Sequence, residues 1–367
     1  MNAPNMHDAL GAFRDPALVR PLSRTITALA GERTINLMEV CGTHTMSIGR
    51  YGFRSIMPVG LHLLSGPGCP VCVTANQDID HAIALARVPG VIITTFGDMM
   101  RVPGSTSSLS AEKAAGRDIR IVYSPLDALE IAQASPAKQV FFLGVGFETT
   151  TPTVAAAILE AQARGITNFS VFCAHKLTPP ALRVIASDPQ THVDGFILPG
   201  HVSTITGVDP FRFLVDEFSI PGVITGFEPV DILEGVAKLT QMVVEKRPDV
   251  INAYHRGVNA EGNAVARELV SQVFEPCDAA WRGLGVIPQS GLRIRPEFRG
   301  FDARLRFNVQ VEPTVEPRGC RCGDVLRGRI APAECPLFGR ACTPETPVGP
   351  CMVSSEGSCA AHYRFRS

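Results

Sequence analysis

The sequence has no excess of charge of either sign and no long hydrophobic run. Among its 367 residues, 34 lysines and arginines balance 35 aspartates and glutamates, which gives a formal net charge of −1. Nucleic-acid-binding proteins usually carry a basic excess, so this balance argues against a nucleic-acid partner. No stretch reaches the roughly 20 apolar residues that a membrane helix needs, and the first residues lack the apolar core of a signal peptide. We therefore expect a globular, cytoplasmic protein with no membrane partner.

Cysteine, by contrast, is abundant and unevenly distributed. Six of the eleven cysteines lie among glycines and prolines near the end of the chain: Cys320, Cys322, Cys335, Cys342, Cys351 and Cys359. Such a segment buries too little apolar surface to offset its loss of conformational entropy, so we expect a metal centre to organise it. Cytoplasmic thiols stay reduced, which favours metal or redox roles over structural disulfides. Cys173 and Cys277 lack a surrounding motif and are predicted to lie in the core.

Short β-branched runs alternate with helical stretches between residues 35 and 246. Seven runs are typical of buried strands of parallel sheets, whose covered faces remove the alternation of apolar and polar residues. They are INLMEV, VIITTF, IRIVY, QVFFLGV, FSVFCA, GFILPG and GVITGF. The helical stretches include residues 77–86, 125–134, 152–164 and 230–246. This alternation predicts an α/β protein with right-handed βαβ units.

An offset of 132 residues relates two parts of this α/β region. Cys41 falls on Cys173, and the Pro-Gly-Val-Ile tetrapeptide at residues 89–92 falls on the one at residues 221–224. We interpret this as an ancient duplication, although two unrelated α/β segments rich in Pro-Gly would also produce it. A chain of 367 residues exceeds what one hydrophobic core usually serves, so we predict three regions. These are an α/β domain at 1–125, a similar one at 126–255, and a helical linker with a cysteine-rich domain at 256–367.

Three upstream cysteines follow predicted strands. Cys41 follows INLMEV and precedes a predicted helix for which Thr43 is the expected N-cap. Ligands bind at the carboxyl ends of the strands in open parallel sheets, so Cys41 should face a crevice. Cys69 and Cys72 form a C-x-x-C motif among glycines and prolines. We expect the helix that begins near Cys72 to lower the pKa of its thiol.

Other polar residues also follow predicted strands. Asp98 and Glu148 each come directly after a β-run, where they could orient a ligand or simply cap the next helix. His201 occupies the position that matches Cys69 at the offset of 132 residues, which makes it a further candidate. His44 is either a supporting polar group or a packing residue.

The spacing of the last cysteines suits an iron-sulfur cluster. The spacing is Cys335-x6-Cys342-x8-Cys351-x7-Cys359. Structural zinc usually shows C-x2-4-C knuckles, which are missing here, whereas a [4Fe-4S] cluster can be held by widely spaced cysteines. These four are therefore the predicted cluster ligands, with zinc as the alternative. Cys320 and Cys322 exceed what one cluster needs, so Cys322 is a further candidate ligand.

Five long motifs extend over nearly the whole chain. They are Glu39-Val-Cys41-Gly-Thr-His44-Thr, Gly66-Pro-Gly-Cys69-Pro-Val-Cys72, Gly146-Phe-Glu-Thr-Thr150, Pro199-Gly-His-Val-Ser203 and the tail from Cys335-Pro-Leu-Phe-Gly to Gly-Ser-Cys359. Together they resemble the HypD family of hydrogenase maturation proteins. The resemblance implies two similar parallel-sheet α/β domains and a small cysteine-rich iron-sulfur domain.

The resemblance also implies a scaffold role. With a small HypC-like partner, such a protein holds the iron that becomes the Fe(CN)2CO unit of [NiFe]-hydrogenase, while cyanide arrives from HypE, itself charged by HypF. Cys41 is then the ligand of this transient iron, and His44 supports it. Cys69 and Cys72 are a redox-active pair. The ligands of the [4Fe-4S] cluster are Cys335, Cys342, Cys351 and Cys359. A competing prediction is an iron-sulfur-dependent thiol-disulfide reductase that acts on a protein substrate.

Overall fold

The computed structural model describes residues 11–365 and shows an α/β protein with two parallel sheets. The strands are β1 (Ile35–Glu39), β2 (Leu61–Ser65), β3 (Val91–Thr95), β4 (Ile119–Ile121), β5 (Gln139–Gly144), β6 (Phe169–Cys173), β7 (Gly195–Pro199), β8 (Gly222–Thr225), β9 (Val250–Asn252), β10 (Phe274–Trp281) and β11 (Gly285–Ile294). The first sheet has the order β2-β1-β7-β8-β9 and the second the order β4-β3-β5-β6, while β10 and β11 form an antiparallel hairpin. The predicted α/β class is confirmed.

Helices connect the strands and cover the sheets. The α-helices are α1 (Pro16–Ala30), α2 (Gly42–Arg50), α3 (Phe53–Ile56), α4 (Pro70–Val73), α5 (Asn76–Ala86), α6 (Leu109–Ala114), α7 (Pro125–Ala134), α8 (Thr151–Ala163), α9 (Thr178–Ser187), α10 (Gly200–Thr206), α11 (Phe213–Phe218), α12 (Pro229–Glu245), α13 (Ala264–Val273), α14 (Ala303–Arg306), α15 (Cys322–Leu326) and α16 (Ser358–Arg364). Short 3-10 helices lie at Ala12–Arg14, Gly97–Arg101, Asp209–Phe211, Pro296–Phe301, Pro332–Glu334 and Pro350–Met352. Within residues 11–365, no helix has both the length and the apolarity needed to cross a bilayer.

The predicted elements are present, and local chemistry explains them. All seven predicted strands occur, as β1 and β3 to β8, and every residue of β3, β6, β7 and β8 is buried. α7 begins with a capping box in which the side chains of Ser124 and Asp127 accept backbone N–H groups. The edge strands β2 and β9 were not predicted. β2 exposes His62, and β9 has only three residues, so neither shows the signal of a buried strand.

The two sheets divide the chain differently from the predicted domains. β1 and β2 pair with β7, β8 and β9, so the first sheet combines strands from residues 1–125 and 126–255. The second sheet consists of β3 to β6, which lie between these strands in the sequence. The duplication is not confirmed, since β1 and its partner at the offset of 132 residues, β6, lie in different sheets. The physical reason is the pairing of β1 with β7, which gives β1 hydrogen bonds on both edges.

The last third of the chain contains the unpredicted hairpin in addition to helices and the cysteine-rich tail. Leu177 N–H donates to Ser290 O at 2.8 Å, which attaches β11 to the end of the second sheet. Arg282 N–H donates to Val73 O at 2.9 Å, which attaches the hairpin turn to the C-x-x-C segment. One apolar cluster contains Phe196 of the first sheet, Trp281 of the hairpin and Met352 of the tail. The hairpin therefore joins both sheets and the tail.

Replacing Gly283 should weaken the packing of the tail against the hairpin turn. Gly283 and Gly285 both have left-handed backbone angles, with φ of +76° and +82°. A Cβ on Gly283 would lie 2.4 Å from Gly323 Cα in α15, whereas a Cβ on Gly285 meets nothing within 4 Å. Gly285→Ala should therefore lower the free energy of unfolding only by the backbone strain, about 1–2 kcal/mol. Gly283→Ala should lower the melting temperature further and speed trypsin cleavage within the tail. Equal melting temperatures and cleavage rates for the two variants would contradict this role of the contact.

Candidate thiol and metal site

The candidate site lies at the carboxyl edge of the first sheet. β1 ends at Glu39, and Cys41 follows after one intervening residue. Cys69 follows the end of β2 after a short loop. His201 follows β7, and Phe227 follows β8. Because parallel strands end at the same edge of a sheet, the strand order brings these residues to one crevice.

The Cys41 loop and the C-x-x-C loop pack directly against each other. Gly42 N–H donates to Gly68 O at 2.9 Å, and Gly66 N–H donates to Glu39 O at 2.8 Å. A Cβ on Gly68 would lie 2.2 Å from Cys41 N, so the close approach requires glycine at this position. The Pro-Gly dipeptide before Cys69 is thus part of the structure that positions Cys41.

Cys41 is itself the N-cap residue of α2. The predicted N-cap, Thr43, is wrong, because Thr43 lies inside the helix and its Oγ1 donates to Glu356 Oε1 at 2.8 Å. Burial, with a smaller contribution from Glu356, raises the pKa of Cys41 to about 12, although the N–H groups of Thr43 and His44 oppose the shift. Glu356 was missed by the sequence analysis. Its place in the tail motif just before Cys359 was the only signal for it.

Two histidines lie at this sheet edge. His44 Nε2 lies 2.9 Å from both Gly226 O and Thr225 Oγ1. A carbonyl oxygen only accepts, so Nε2 carries the hydrogen, and the Nδ1 lone pair has no partner among residues 11–365. Burial lowers the pKa of His44 to about 4, so the ring is neutral at pH 7. The Phe227 ring contacts both His44 and His201, at centroid distances of 4.7 and 4.0 Å.

The tail packs on the C-x-x-C motif. Cys69 Sγ accepts the N–H of Cys72 at 3.3 Å, and Cys72 Sγ lies 3.9 Å from Pro350 O. Cys72 is fully buried, and burial raises the pKa of its thiol well above the ordinary value. The predicted lowering of this pKa is therefore wrong. α4 has only four residues, and the loss of solvation outweighs the dipole of a single turn.

From Cys72, a row of thiols continues into the tail. Cys351 is a neighbour of both Cys72 and Cys322. Cys322 is in turn a neighbour of Cys320. These residues come from distant parts of the sequence, so only the tertiary structure reveals that they are neighbours.

A second group of thiols lies near Cys359. Burial raises the pKa of Cys359, and three neighbouring thiols raise it further: those of Cys320, Cys342 and Cys335. This group contains three of the four predicted cluster ligands. The fourth, Cys351, is also near Cys359, and Cys72 and Cys322 are its other neighbours.

The tail thiols are the residues that could hold an iron-sulfur cluster. In the described part of the chain, no three Cys, His, Asp or Glu side chains have the arrangement of a site for one metal ion. A [4Fe-4S] cluster needs a wider arrangement, because each of its four thiolates binds a different iron. Cys335, Cys342 and Cys359 suit three of these positions. The fourth ligand of such a cluster would come from the remaining tail cysteines.

Comparisons with known proteins decide the family. The HypD family model, described as "Hydrogenase formation hypA family", matches residues 17–366. The chain belongs to the HypD family. Hydrogenase maturation factor HypD of Rhizobium leguminosarum bv. viciae is 48% identical over 362 residues, which cover 96% of this chain and 94% of the relative. The factor of the same name from Rhodobacter capsulatus is 46% identical over 364 residues, covering 96% and 97%. The one from Escherichia coli K12 is 45% identical over 338 residues, covering 91% and 90%.

In this HypD-family chain, Asp98 and Glu148, the two carboxylates predicted as candidate site residues, both accept hydrogen bonds from other residues of the protein. Asp98 Oδ2 accepts the hydroxyl of Ser354 at 2.7 Å, which ties the second sheet to the tail. Glu148 accepts Thr178 N–H at 2.7 Å and Thr178 Oγ1–H at 2.9 Å, at the first residue of α9. Glu148 therefore caps the start of α9 and not that of α8, the next helix in the chain, so the alternative interpretation of Glu148 as a cap of the next helix is wrong. Burial raises the pKa of Glu148 to about 7.

The raised pKa of Glu148 predicts a pH-dependent effect on stability. The ordinary pKa is 4.5, so the folded state holds this proton more tightly than the unfolded state does. The resulting stabilisation is present below pH 4.5 and is lost as the pH rises through about 7. Glu148→Gln cannot ionise and therefore does not lose this stabilisation. Between pH 5 and pH 8, its free energy of unfolding should rise relative to that of the wild type by up to about 3 kcal/mol.

Melting temperatures at both pH values test this prediction. Glu130→Gln is the matched control, because the Glu130 side chain is 67% exposed and pairs only at the surface. It should shift the melting temperature little at either pH. A Glu148→Gln effect of the same size at pH 5 and pH 8 would contradict the assigned pKa.

Proposed function

We propose that the chain is a scaffold on which, together with a HypC-like partner, the Fe(CN)2CO unit of [NiFe]-hydrogenase is assembled. The observation that carries this proposal is the meeting of Cys41, the C-x-x-C motif and the cysteine-rich tail at one sheet edge. The iron is the cargo, and Cys41 is its ligand. A HypE-like protein, charged by a HypF-like one, delivers the cyanide. The relatives' name, hydrogenase maturation factor, supports this role.

The surroundings of Cys41 suit a ligand of ferrous iron. Cyanide and carbon monoxide favour low-spin ferrous iron, and a soft thiolate is a suitable co-ligand. The Cys41 thiol loses its proton on binding metal. The N–H groups of Thr43 and His44 stabilise the thiolate, whereas the negative charge of the Glu356 carboxylate disfavours it. Neutral His44 and the neighbouring His201 line the crevice without adding positive charge at pH 7.

Access to Cys41 passes the tail. Cys41 is only 8% exposed. Glu356 packs on Gly42 so closely that a Cβ there would lie 2.5 Å from the Glu356 Cβ. A cysteine of the HypC-like partner that shares the iron therefore approaches Cys41 past Glu356.

The tail thiols hold the [4Fe-4S] cluster in this proposal. When bound, the cluster supplies single electrons. Cys72 and Cys351 are neighbours, so the C-x-x-C thiols lie beside the tail cysteines, which supports a redox-active role for Cys69 and Cys72. The same row of thiols favours the second candidate function, an iron-sulfur-dependent thiol-disulfide reductase that acts on a protein substrate.

Cys41→Ala separates the two candidate functions. On the scaffold proposal, this variant in complex with the HypC-like partner loses the infrared bands of bound cyanide and carbon monoxide. It keeps the visible absorption of the cluster, because Cys41 lies outside the tail. Ser187→Ala, a change on the far end of α9, should keep both signals. Cyanide and carbonyl bands that persist in Cys41→Ala would refute the scaffold proposal, and surviving disulfide turnover would favour the reductase.

A serine series identifies the cluster ligands. The anaerobically purified protein should be brown and contain about four irons per chain. Cys335→Ser, Cys342→Ser and Cys359→Ser should each lose most of this iron and the visible absorption. Exactly one further loss is expected among three variants: Cys320→Ser, Cys322→Ser and Cys351→Ser. Ala360→Ser is the control, because it adds a hydroxyl beside Cys359 without removing a thiol. Zinc instead of iron in the wild-type protein would contradict the cluster.

A further inference from the structure

Arg282 is a buried cation whose terminal nitrogens have no hydrogen-bond partner. It follows β10 at the turn of the hairpin, and its side chain is only 3% exposed. In the described part of the chain, Nη1 and Nη2 are buried without a hydrogen-bond partner, and no other guanidinium there has both atoms in this state. Arg282 is thus more buried than Cys277 of the same hairpin, which is half-buried and not in the core as predicted, whereas Cys173 is buried as predicted.

A carboxylate lies near this guanidinium but offsets little of its charge. Glu316 Oε2 is 3.4 Å from Arg282 Nη2 without the geometry of a hydrogen bond, and the Glu316 side chain is 60% exposed. Water screens an exposed charge, so this ion pair contributes little to the burial of the cation. A buried charge without its acceptors is unfavourable, which indicates an anion that the polypeptide itself does not supply.

Arg282 lies against the segment that carries Cys320 and Cys322. Glu316, the neighbour of its Nη2, comes four residues before Cys320 in the sequence. The residue after Arg282 also packs on this segment, since a Cβ on Gly283 would lie 2.4 Å from the Cα of the glycine that follows Cys322. The positive charge of Arg282 accordingly favours the ionised form of both thiols.

Cys320 and Cys322 belong to the same thiol-rich part of the tail as the predicted cluster ligands. A Cβ on Gly349 would lie 2.8 Å from Cys320 Sγ and 3.9 Å from Cys322 Cβ. The preceding residue, Val348, donates its N–H to Cys342 Sγ at 3.3 Å. The same short stretch of backbone thus contacts cysteines from both parts of the tail, and the guanidinium borders this group of thiols.

We propose that Arg282 is the fixed cation of the tail thiol site, where it offsets the negative charge of the [4Fe-4S] cluster and its N–H groups donate to cysteine sulfur. This inference rests on the proposed function, because it requires a cluster bound by the tail thiols. Iron-bound thiolates are anionic acceptors, whereas neutral thiols accept hydrogen bonds only weakly. Arginine suits the position because its guanidinium stays charged when buried.

A fixed cation at this place should raise the reduction potential of the cluster. Reduction adds one negative charge, and a buried positive charge stabilises the reduced form more than the oxidised form. Hydrogen bonds to the sulfurs also tune the potential of an iron-sulfur cluster. Arg282 therefore acts on the cluster through charge and hydrogen bonding, and it is not a ligand.

The reduction potential of the cluster tests this proposal. The full-length wild type and its variants are purified anaerobically, analysed for iron and sulfide, and titrated with dithionite and redox mediators while electron paramagnetic resonance follows the reduced cluster. Arg282→Met removes both the charge and the donors. Its reduction equilibrium should shift at least about tenfold toward the oxidised form, which is about 59 mV for a one-electron couple. Arg282→Lys keeps the charge and should retain most of the wild-type potential.

Arg321→Met is the matched control, because Arg321 lies between Cys320 and Cys322 in the sequence but its side chain is 49% exposed. Loss of this screened charge should shift the equilibrium by less than about twofold. Glu316→Gln removes the ion pair of Arg282 and should not lower the potential. Arg282→Gln, which is uncharged but can donate, carries the test if Arg282→Met loses its iron, and its potential should fall as well.

An uncharged Arg282 variant that keeps the cluster and the wild-type potential would overturn the proposal. An equal fall in potential in Arg321→Met or Glu316→Gln would overturn it as well. Loss of iron from Arg282→Met and Arg282→Gln but not from Arg282→Lys would support the need for a charge, and loss from all three would contradict it. A wild-type protein without iron would overturn this inference together with the cluster of the proposed function, so the two failures are distinguishable.

Discussion

The pairing of β7 with β1 is the constraint on which the candidate site depends. Leu37, Met38 and Glu39 pair with residues 195–197. Through this pairing the chain returns to the first sheet at β7, after strands β3 to β6 have contributed the second sheet. The loops that carry Cys41 and His201 then share one edge. Because these strands are buried on both faces, a slip of one residue would exchange the packing of every side chain between the faces. The register, and with it the crevice, is therefore strongly specified.

Burial of thiols is the second theme of the structure. It raises the pKa of Cys41, Cys72 and Cys359 alike, so thiolates in this region need a positive partner. A bound metal is such a partner, and it would also explain how a segment with little apolar periodicity becomes ordered. Three hydrogen-bond contacts join the tail to the rest of the molecule. They pair Ser354 with Asp98, Glu356 with Thr43, and Pro350 with Cys72.

The hairpin of β10 and β11 links two thiol environments of opposite character. At its turn, Arg282 is attached to the C-x-x-C segment, where the neighbours of the thiols are mostly other thiols. Along its strands, Cys277 has charged neighbours of both signs, and burial raises the pKa of its thiol. Thiols crowded by other thiols suit a multinuclear metal centre. One structural element thus borders both environments.

The sequence by itself determined the strands, several helix starts and the segments that carry the chemistry. β-branched runs fix β1 and β3 to β8, Ser124 and Asp127 fix the start of α7, and the motifs mark Cys41, Cys69 and Cys72. These features are local, because each depends on residues a few positions apart. The strand order, the hairpin and the division of the chain between the sheets required contacts between distant segments.

Only the tertiary structure decided which groups meet and how they are charged. It placed Glu356 beside Cys41 and Cys351 beside Cys72. It also reversed the predicted direction of the pKa shift of Cys72. A helix start is visible in a short segment, but the desolvation of a thiol depends on everything packed around it, and that packing comes from residues far away in the sequence.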